Sequence, residues 1–311
     1  MRKRQPRLRL RRTRMRKRPP ILDLLSAAQK ERLNQDELDF LRSEANFALD
    51  YFLAPYNRLI QNRTQFCINS DSAALALFVS KIRNRKVLEI GCNNGAILAY
   101  ISQENPAFLC GVELQESAAK LAQINMKLFS KTSSFEIRNG SILDLNAGEF
   151  DLVLCNPPYF APSPEQAVRP LTSREIARVE GDLNLKTMIE SARRHLKSGG
   201  RFCFVHRPSR LTEIFALLKE NRFSISRLQT AYDIRTFQPC AVLVEAVLDR
   251  FVDPVLETAL LYDGTCRPKT MEEYFRTHDL NGSAAGAEIN PESTDGICMV
   301  RKEGEENDGK Q

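Results

Sequence analysis

The sequence predicts an α/β fold, a mostly parallel sheet of seven strands with helices on both faces. Three observations carry this. From Lys86 onward, short apolar runs alternate with helix-periodic segments, the pattern of a parallel-rich sheet covered on two sides. The first run ends in "LEIGCNNG" (Leu88 to Gly95), a glycine-rich strand-to-helix turn. The fourth, "FDLVL" (Phe150 to Leu154), runs into "CNPPYF", where two prolines forbid a helix and fix φ at both positions.

Taken in order, residues 1–20 hold eleven Lys/Arg and no acid. Such a stretch buries too little apolar surface to order itself, so it reads as a disordered basic arm. Dense arginines neutralise phosphates and suit an RNA tether. An organelle address and an over-long gene start, with Met15 as a later start, are the alternatives. Residues 21–54 read as a helical cap. Within it, 36–53 ("DELDFLRSEANFALDYFL") places Leu38, Leu41, Ala45, Ala48 and Phe52 on one helical stripe.

The expected strands are "KVLEIG" (86–91), "AFLCGVEL" (107–114), "SFEIRNG" (134–140), "FDLVLCN" (150–156), "RFCFVHR" (201–207), "FSISRLQ" (223–229) and "CAVLVEAVL" (240–248). Helices are expected over "GAILAYISQ", "ESAAKLAQINMKLF", "LNLKTMIESARRHLKSGG" (stopped by Gly199 and Gly200) and "RLTEIFALLKEN". The last two strands have no helix between them and are expected antiparallel at one edge. Residues 281–311 carry seven acids against three bases and read as a disordered acidic tail. With arm and tail set aside, the remaining chain is nearly neutral.

Composition excludes several classes. No apolar run reaches the roughly 18–20 residues of a membrane span. Eight cysteines are present without a CxxC pair, so neither a metal site nor a redox dithiol is expected. Free thiols imply a reducing, cytoplasmic setting.

The chemistry-bearing residues sit at strand ends. Gly91 and Gly95 flank Asn93, a residue type that tolerates positive φ. The helix that opens there offers its amino end to negative charge. Glu113 closes the next strand about twenty residues on, the separation at which a carboxylate reaches ribose hydroxyls. The "NPPY" turn holds Asn156 and Tyr159 stiffly at the end of the fourth strand. His195, in a helix ending in basic residues, and His206 stand outside this scheme.

On these residues the chain resembles the class I S-adenosylmethionine-dependent methyltransferases with an Asn-Pro-Pro-Tyr motif. Flanking stretches narrow the likeness: "LIQNRTQFCINSDSAALALF" (59–78), "IARVEGDLNL" (176–185) and "GGRFCFVHRPSRLTEI" (199–214). They are similar to segments of the bacterial enzymes that methylate N6 of adenosine 37 in a valine tRNA. The likeness covers about residues 55–265, and the methyltransferase domain is expected over 55–280. Three positions depart from the pattern. Asn93 replaces a glycine, Val179 a histidine, and Ser141 an aspartate that reads the cofactor adenine, a role that Asp144 could take instead.

The resemblance implies a Rossmann-like class I methyltransferase fold, S-adenosylmethionine as cofactor, and tRNA or other RNA as partner. It implies cofactor contacts at Glu89, Gly91, Asn93, Gly95, Glu113, Ser141 and Asn156. Catalysis falls to Asn156, Pro157 and Tyr159, and substrate binding to Pro158, Tyr159, Phe160 and Arg178. The Asn156 side-chain oxygen and the Pro157 carbonyl each accept one N6 hydrogen, while Tyr159 stacks on the base. No metal takes part, and the protein is expected to be a monomer. The same turn also serves N-methylation of rRNA, DNA or a protein glutamine amide. A non-catalytic RNA-binding module on this fold is the alternative of another class.

Overall fold

The computed structural model describes residues 19–43, 46–132, 134–146, 148–159, 183–264, 267–270 and 273, with backbone alone at 54–56. The basic arm up to residue 18 and the acidic tail from 281 lie outside the described residues. So do residues 160–182, which include Phe160, Arg178 and Val179.

The amino-terminal segment departs from expectation. After α1 (Ala27–Lys30), helix α2 (Gln35–Ser43) covers only the first part of the helix expected over 36–53. Phe47–Phe52 forms strand β1 instead, paired antiparallel with β2 (Ala54–Asn62). "FALDYF" alternates as readily as it repeats at helical spacing, and its aromatics favour a pleated surface. Leu53, at φ 65°, turns the chain back on itself. The partner strand decides the matter, and periodicity alone does not reveal it.

The seven expected strands all form: β3 (Lys86–Ile90), β4 (Phe108–Glu113), β5 (Phe135–Asn139), β6 (Phe150–Cys155), β7 (Leu196–His206), β8 (Phe223–Asp233) and β9 (Gln238–Leu248). Their order is β5-β4-β3-β6-β7-β9-β8. Within these seven, β9 alone runs against its neighbours, and it lies between β7 and β8. The sheet then continues past β8 with three short strands, β10 (Val255–Leu256), β11 (Leu260–Tyr262) and β12 (Lys269–Thr270), giving ten in all. These additions cover the edge that β8 would otherwise leave open.

Helices α3 (Ser70–Phe78), α4 (Ala96–Ile101) and α5 (Glu116–Phe129) pack on one face of the sheet, while α6 (Leu185–His195) and α7 (Leu211–Glu220) pack on the other. Strand alternation divides the core accordingly. Val87, Leu109, Leu152 and Leu154 face the first layer; Leu88, Cys110, Val153 and Cys155 face the second. The described cysteines are free.

Helix α6 stops at His195, short of the two glycines expected to end it. His195 ring nitrogens lie 2.9 Å from the Ser191 carbonyl and 3.2 Å from the Leu145 carbonyl, and Leu196 is already extended and buried. Gly199 and Gly200 instead serve the start of β7, where Phe150 faces Leu196 but Leu152 faces Arg201. Gly199 takes φ 75° there, and a Cβ would meet the Arg250 guanidinium at 2.6 Å.

The β1–β2 hairpin is pinned to the outer face of α5. Asn125, fully buried, accepts from Ile60 N at 2.9 Å and donates to the carbonyls of Ile60 (2.9 Å) and Asn94 (2.8 Å). One side chain thus ties the hairpin to the glycine turn after β3. Strand order reverses between β3 and β6, because β3 pairs with β4 on one side and β6 on the other. At such a switch point an open α/β sheet presents its ligand crevice, outside the carboxyl ends of the strands.

Candidate active site

A cavity of about 260 Å³ opens at that switch point. The turn after β3 supplies Gly91, Cys92, Asn93 and Asn94, the end of β4 supplies Glu113, and the segment after β5 supplies Gly140 and Ser141. Asn156 and Pro158 line it from the end of β6, Phe66 and Ile68 from the segment leading into α3, and Ser72 from the first turn of α3. Positive φ at Gly91 (69°), Asn93 (46°) and Gly95 (75°) curls the turn so that its backbone faces the cavity. Asn93 thus adopts the left-handed conformation that glycine would otherwise supply, and its Nδ2 donates to the Phe66 carbonyl at 2.9 Å. Gly95 is not in the lining. It begins α4 where α5 passes so close that a Cβ would meet Ala122 at 3.3 Å.

Glu113 is held by two backbone amides, Asn93 N at 2.8 Å on one oxygen and Gln115 N at 2.9 Å on the other. Burial still pushes the carboxyl above its ordinary range, against those amide donors. Glu89 is 2% exposed, lines the cavity, and its Oε2 has no hydrogen-bond partner among the described residues. Burial, and then the Glu113 charge, hold its carboxyl well above the usual range. A buried acceptor without a partner is costly; a ligand that donates to it removes the cost.

Ser141 lines the cavity, but its Oγ accepts from Leu143 N at 3.2 Å, capping a 3-10 turn. Asp144, the alternative at this position, is exposed and does not line the cavity.

The rigid turn after β6 is oriented from α3. Asn156 Nδ2 donates to Ser72 Oγ at 3.1 Å, and Ser72 Oγ in turn donates to Asn69 Oδ1 at 3.1 Å. The Asn156 oxygen accepts a hydrogen bond from the Tyr159 hydroxyl. Pro157 is buried, and Pro158 faces the cavity. Tyr159 is half-buried, with the Arg207 guanidinium 4.4 Å from its ring centroid and the His206 ring edge-on at 5.3 Å. Burial, and then the Asp71 carboxylate, keep its phenol well above the normal range, so it stays a donor.

His206, outside the scheme that the sequence predicts, packs against Tyr159. Burial, with Arg210 and Arg207 nearby, pushes it down to about 4. The neutral ring accepts from Arg207 N at 2.8 Å. Nothing local in "FVHRPSR" signals that contact.

The comparisons with known proteins decide the family. The model of the methyltransferase small domain matches residues 59–224, more than half of the chain. The chain belongs to the methyltransferase small domain family. As a class I methyltransferase it takes S-adenosylmethionine as methyl donor. The Glu89 oxygen that has no partner among the described residues, the anchored Glu113 carboxylate and the backbone-lined turn fit a ligand carrying an ammonium group and ribose hydroxyls.

Among curated relatives, the tRNA1(Val) (adenine(37)-N6)-methyltransferase of Yersinia pseudotuberculosis is 32% identical over 149 residues, 46% of this chain and 58% of that protein. The enzyme of the same name from Yersinia pestis is 31% identical over 149 residues, 46% of this chain and 59% of its own length. This methyltransferase therefore spans somewhat over half the length of the curated relatives it matches. In fold, it is similar to the M. jannaschii tRNA m1G37 methyltransferase, with a TM-score of 0.51 and 11% identity over 66% of this chain and 58% of that one. No helix among the described residues is long and apolar enough to cross a membrane.

Proposed function

We propose that this methyltransferase modifies the exocyclic N6 of an adenine in RNA, with adenosine 37 of a valine tRNA as the first candidate. The observation that carries the reading is the fixed Asn156 amide at the rim of the cofactor cavity. Ser72 engages the amide nitrogen, so the oxygen is the end left to accept a hydrogen. The names of the curated relatives supply the substrate.

When bound, S-adenosylmethionine supplies an electrophilic methyl group. The protein's own task is to make a poor nucleophile attack. An aromatic amine spreads its lone pair into the ring. Acceptance of one N6 hydrogen by Asn156 Oδ1 and the other by the Pro157 carbonyl draws the nitrogen toward tetrahedral geometry. The hydrogen bond from Tyr159 to Asn156 Oδ1 leaves that oxygen a second lone pair for the substrate. Catalysis is then positioning plus hydrogen bonding that strengthens as charge develops on nitrogen. Phe160 and Arg178 complete the proposed substrate contacts, and the basic arm adds phosphate contacts.

The test offers cofactor with a labelled methyl to tRNA, rRNA, DNA and a peptide-chain release factor, followed by identification of the product. Label in N6-methyladenosine of tRNA supports the reading. Label only in another nucleoside, or in a glutamine amide, overturns it.

A further inference from the structure

The contacts around the Asn-Pro-Pro-Tyr turn close into a ring. Two consecutive residues in the first turn of α3 begin it. Ser72 holds the Asn156 nitrogen. Asp71, 4% exposed, pairs through Oδ2 with Arg207 Nη2 at 3.3 Å. Arg207 Nη1 donates to the Cys240 carbonyl at 2.6 Å, and the guanidinium lies over Tyr159. The Tyr159 hydroxyl returns to Asn156. Tyr262 of β11, one of the short strands added beyond β8, donates to the other Asp71 oxygen at 3.2 Å.

Stability gives this arrangement little reason to exist. Burying an ion pair costs about as much desolvation as its attraction returns, and packed apolar side chains do as well or better. What a half-buried planar cation on a buried carboxylate does supply is direction. Two acceptors from different strands and helices fix the guanidinium plane, and a fixed guanidinium fixes the aromatic ring lying on it. Tyr159 sits at the end of a turn, where its hydroxyl meets Asn156 and the His206 ring packs edge-on against it; the Arg207 guanidinium is the charged plane that lies over its ring.

We infer that Arg207 is a positioning residue that sets the ring plane of Tyr159 from behind, so that the opposite ring face receives the planar acceptor group. Asp71 and Tyr262 hold Arg207 in place. Asp71 has a second task. The acceptor nitrogen gains positive charge during methyl transfer, and a bare Arg207 cation behind Tyr159 would oppose that charge. The buried carboxylate cancels it. The additional strand β11 thereby becomes part of the catalytic architecture. This inference rests on the reading of Tyr159 as the residue that stacks on the substrate.

The experiment combines kinetics with a probe that needs no substrate. In Arg207→Met, kcat at saturating tRNA is expected to fall about ten- to a hundredfold, the scale of an ångström of misplacement, with cofactor affinity unchanged. Arg207→Lys does not restore the rate, because an ammonium cannot hold two acceptors in one plane and lie flat on a ring. Tyr262→Phe, which removes one hydroxyl and keeps the packing, gives a smaller loss in the same direction. In protein labelled with 3-fluorotyrosine, the Tyr159 resonance, assigned by its disappearance in Tyr159→Phe, is expected to shift or broaden in Arg207→Met.

A wild-type kcat in Arg207→Met overturns the inference. So does an unmoved Tyr159 resonance, or a parallel loss of cofactor affinity, which would mark a general loosening. If wild type methylates no RNA at all, the RNA reading fails. The resonance experiment then still decides whether Arg207 orients Tyr159.

Discussion

Ser72 accepts a 3.1 Å hydrogen bond from Asn156 Nδ2 across 84 positions of sequence. A carboxamide is nearly symmetric in shape, and its neighbours decide which end points where. Here the hydroxyl of one helix turn fixes the nitrogen, and the oxygen is turned toward Tyr159. The acceptor that the proposed chemistry uses is therefore oriented by the protein's own contacts.

Asn156→Ala is expected to lower kcat about a hundredfold or more, the cost of removing one transition-state hydrogen-bonding group, with little change in cofactor affinity. Ser72→Ala removes the hold on the amide nitrogen but leaves the Tyr159 bond to its oxygen, and should cost less. Steady-state rates with labelled methyl, alongside calorimetric titration of cofactor, check both. A near-normal rate in Asn156→Ala would make the turn a structural feature only.

Glu113→Ala is expected to weaken cofactor binding by about 1.5–3 kcal/mol, the loss of a charge-assisted hydrogen bond. The pH dependence is more specific. Burial raises both Glu89 and Glu113 above the ordinary 4.5, so in the free protein their charged forms cost stability. As pH falls through the raised values, protonation removes that cost, and their contribution makes the free protein more stable. Cofactor affinity moves the other way, because a protonated carboxyl accepts poorly from an ammonium or a ribose hydroxyl. Thermal melts and titrations of wild type and Glu89→Gln across mildly acidic pH should show the two opposite trends weakened in the variant. Parallel trends in wild type would contradict the assignment.

Asn125 gives a test of architecture. Its three buried hydrogen bonds hold the β1–β2 hairpin and the glycine turn together. Asn125→Leu leaves the Ile60 amide and two carbonyls unpaired and should destabilise the fold by about 3 kcal/mol. Urea unfolding measures this directly. If stability were unchanged, the hairpin would not depend on that clamp.

The basic arm predicts a salt dependence. Residues 1–20 bring eleven Lys/Arg to a chain whose remainder, outside the acidic tail, is close to neutral. With about half of these charges on phosphates, deletion of residues 1–19 should flatten the slope of log K against log salt by roughly four units. The rate at saturating RNA should stay the same, since Asn156 and Tyr159 lie elsewhere. Filter binding to one tRNA over a salt series compares the two proteins. Equal slopes would remove the tether.

The sequence by itself determined the seven strands, the glycine turn and the rigid proline turn. Each is a local property: an apolar run, a residue tolerant of positive φ, a ring that locks φ. Glu89, Gly91, Asn93, Glu113, Ser141, Asn156 and Pro158 line one cavity because strand ends converge wherever a parallel sheet reverses its order. The tertiary structure decided what lay beyond local reach. It ended α2 at Ser43, because "FALDYF" found a strand partner in β2. It ended α6 at His195 and gave the paired glycines to a strand irregularity. It also chose the partners of the turn. Ser72 meets Asn156 across 84 residues, Asp71 meets Arg207 across 136 and Tyr262 across 191, and His206 reaches Tyr159 from the next strand. Periodicity and propensity act over a few residues, whereas a hydrogen bond between distant residues exists only once the sheet has brought their strands together.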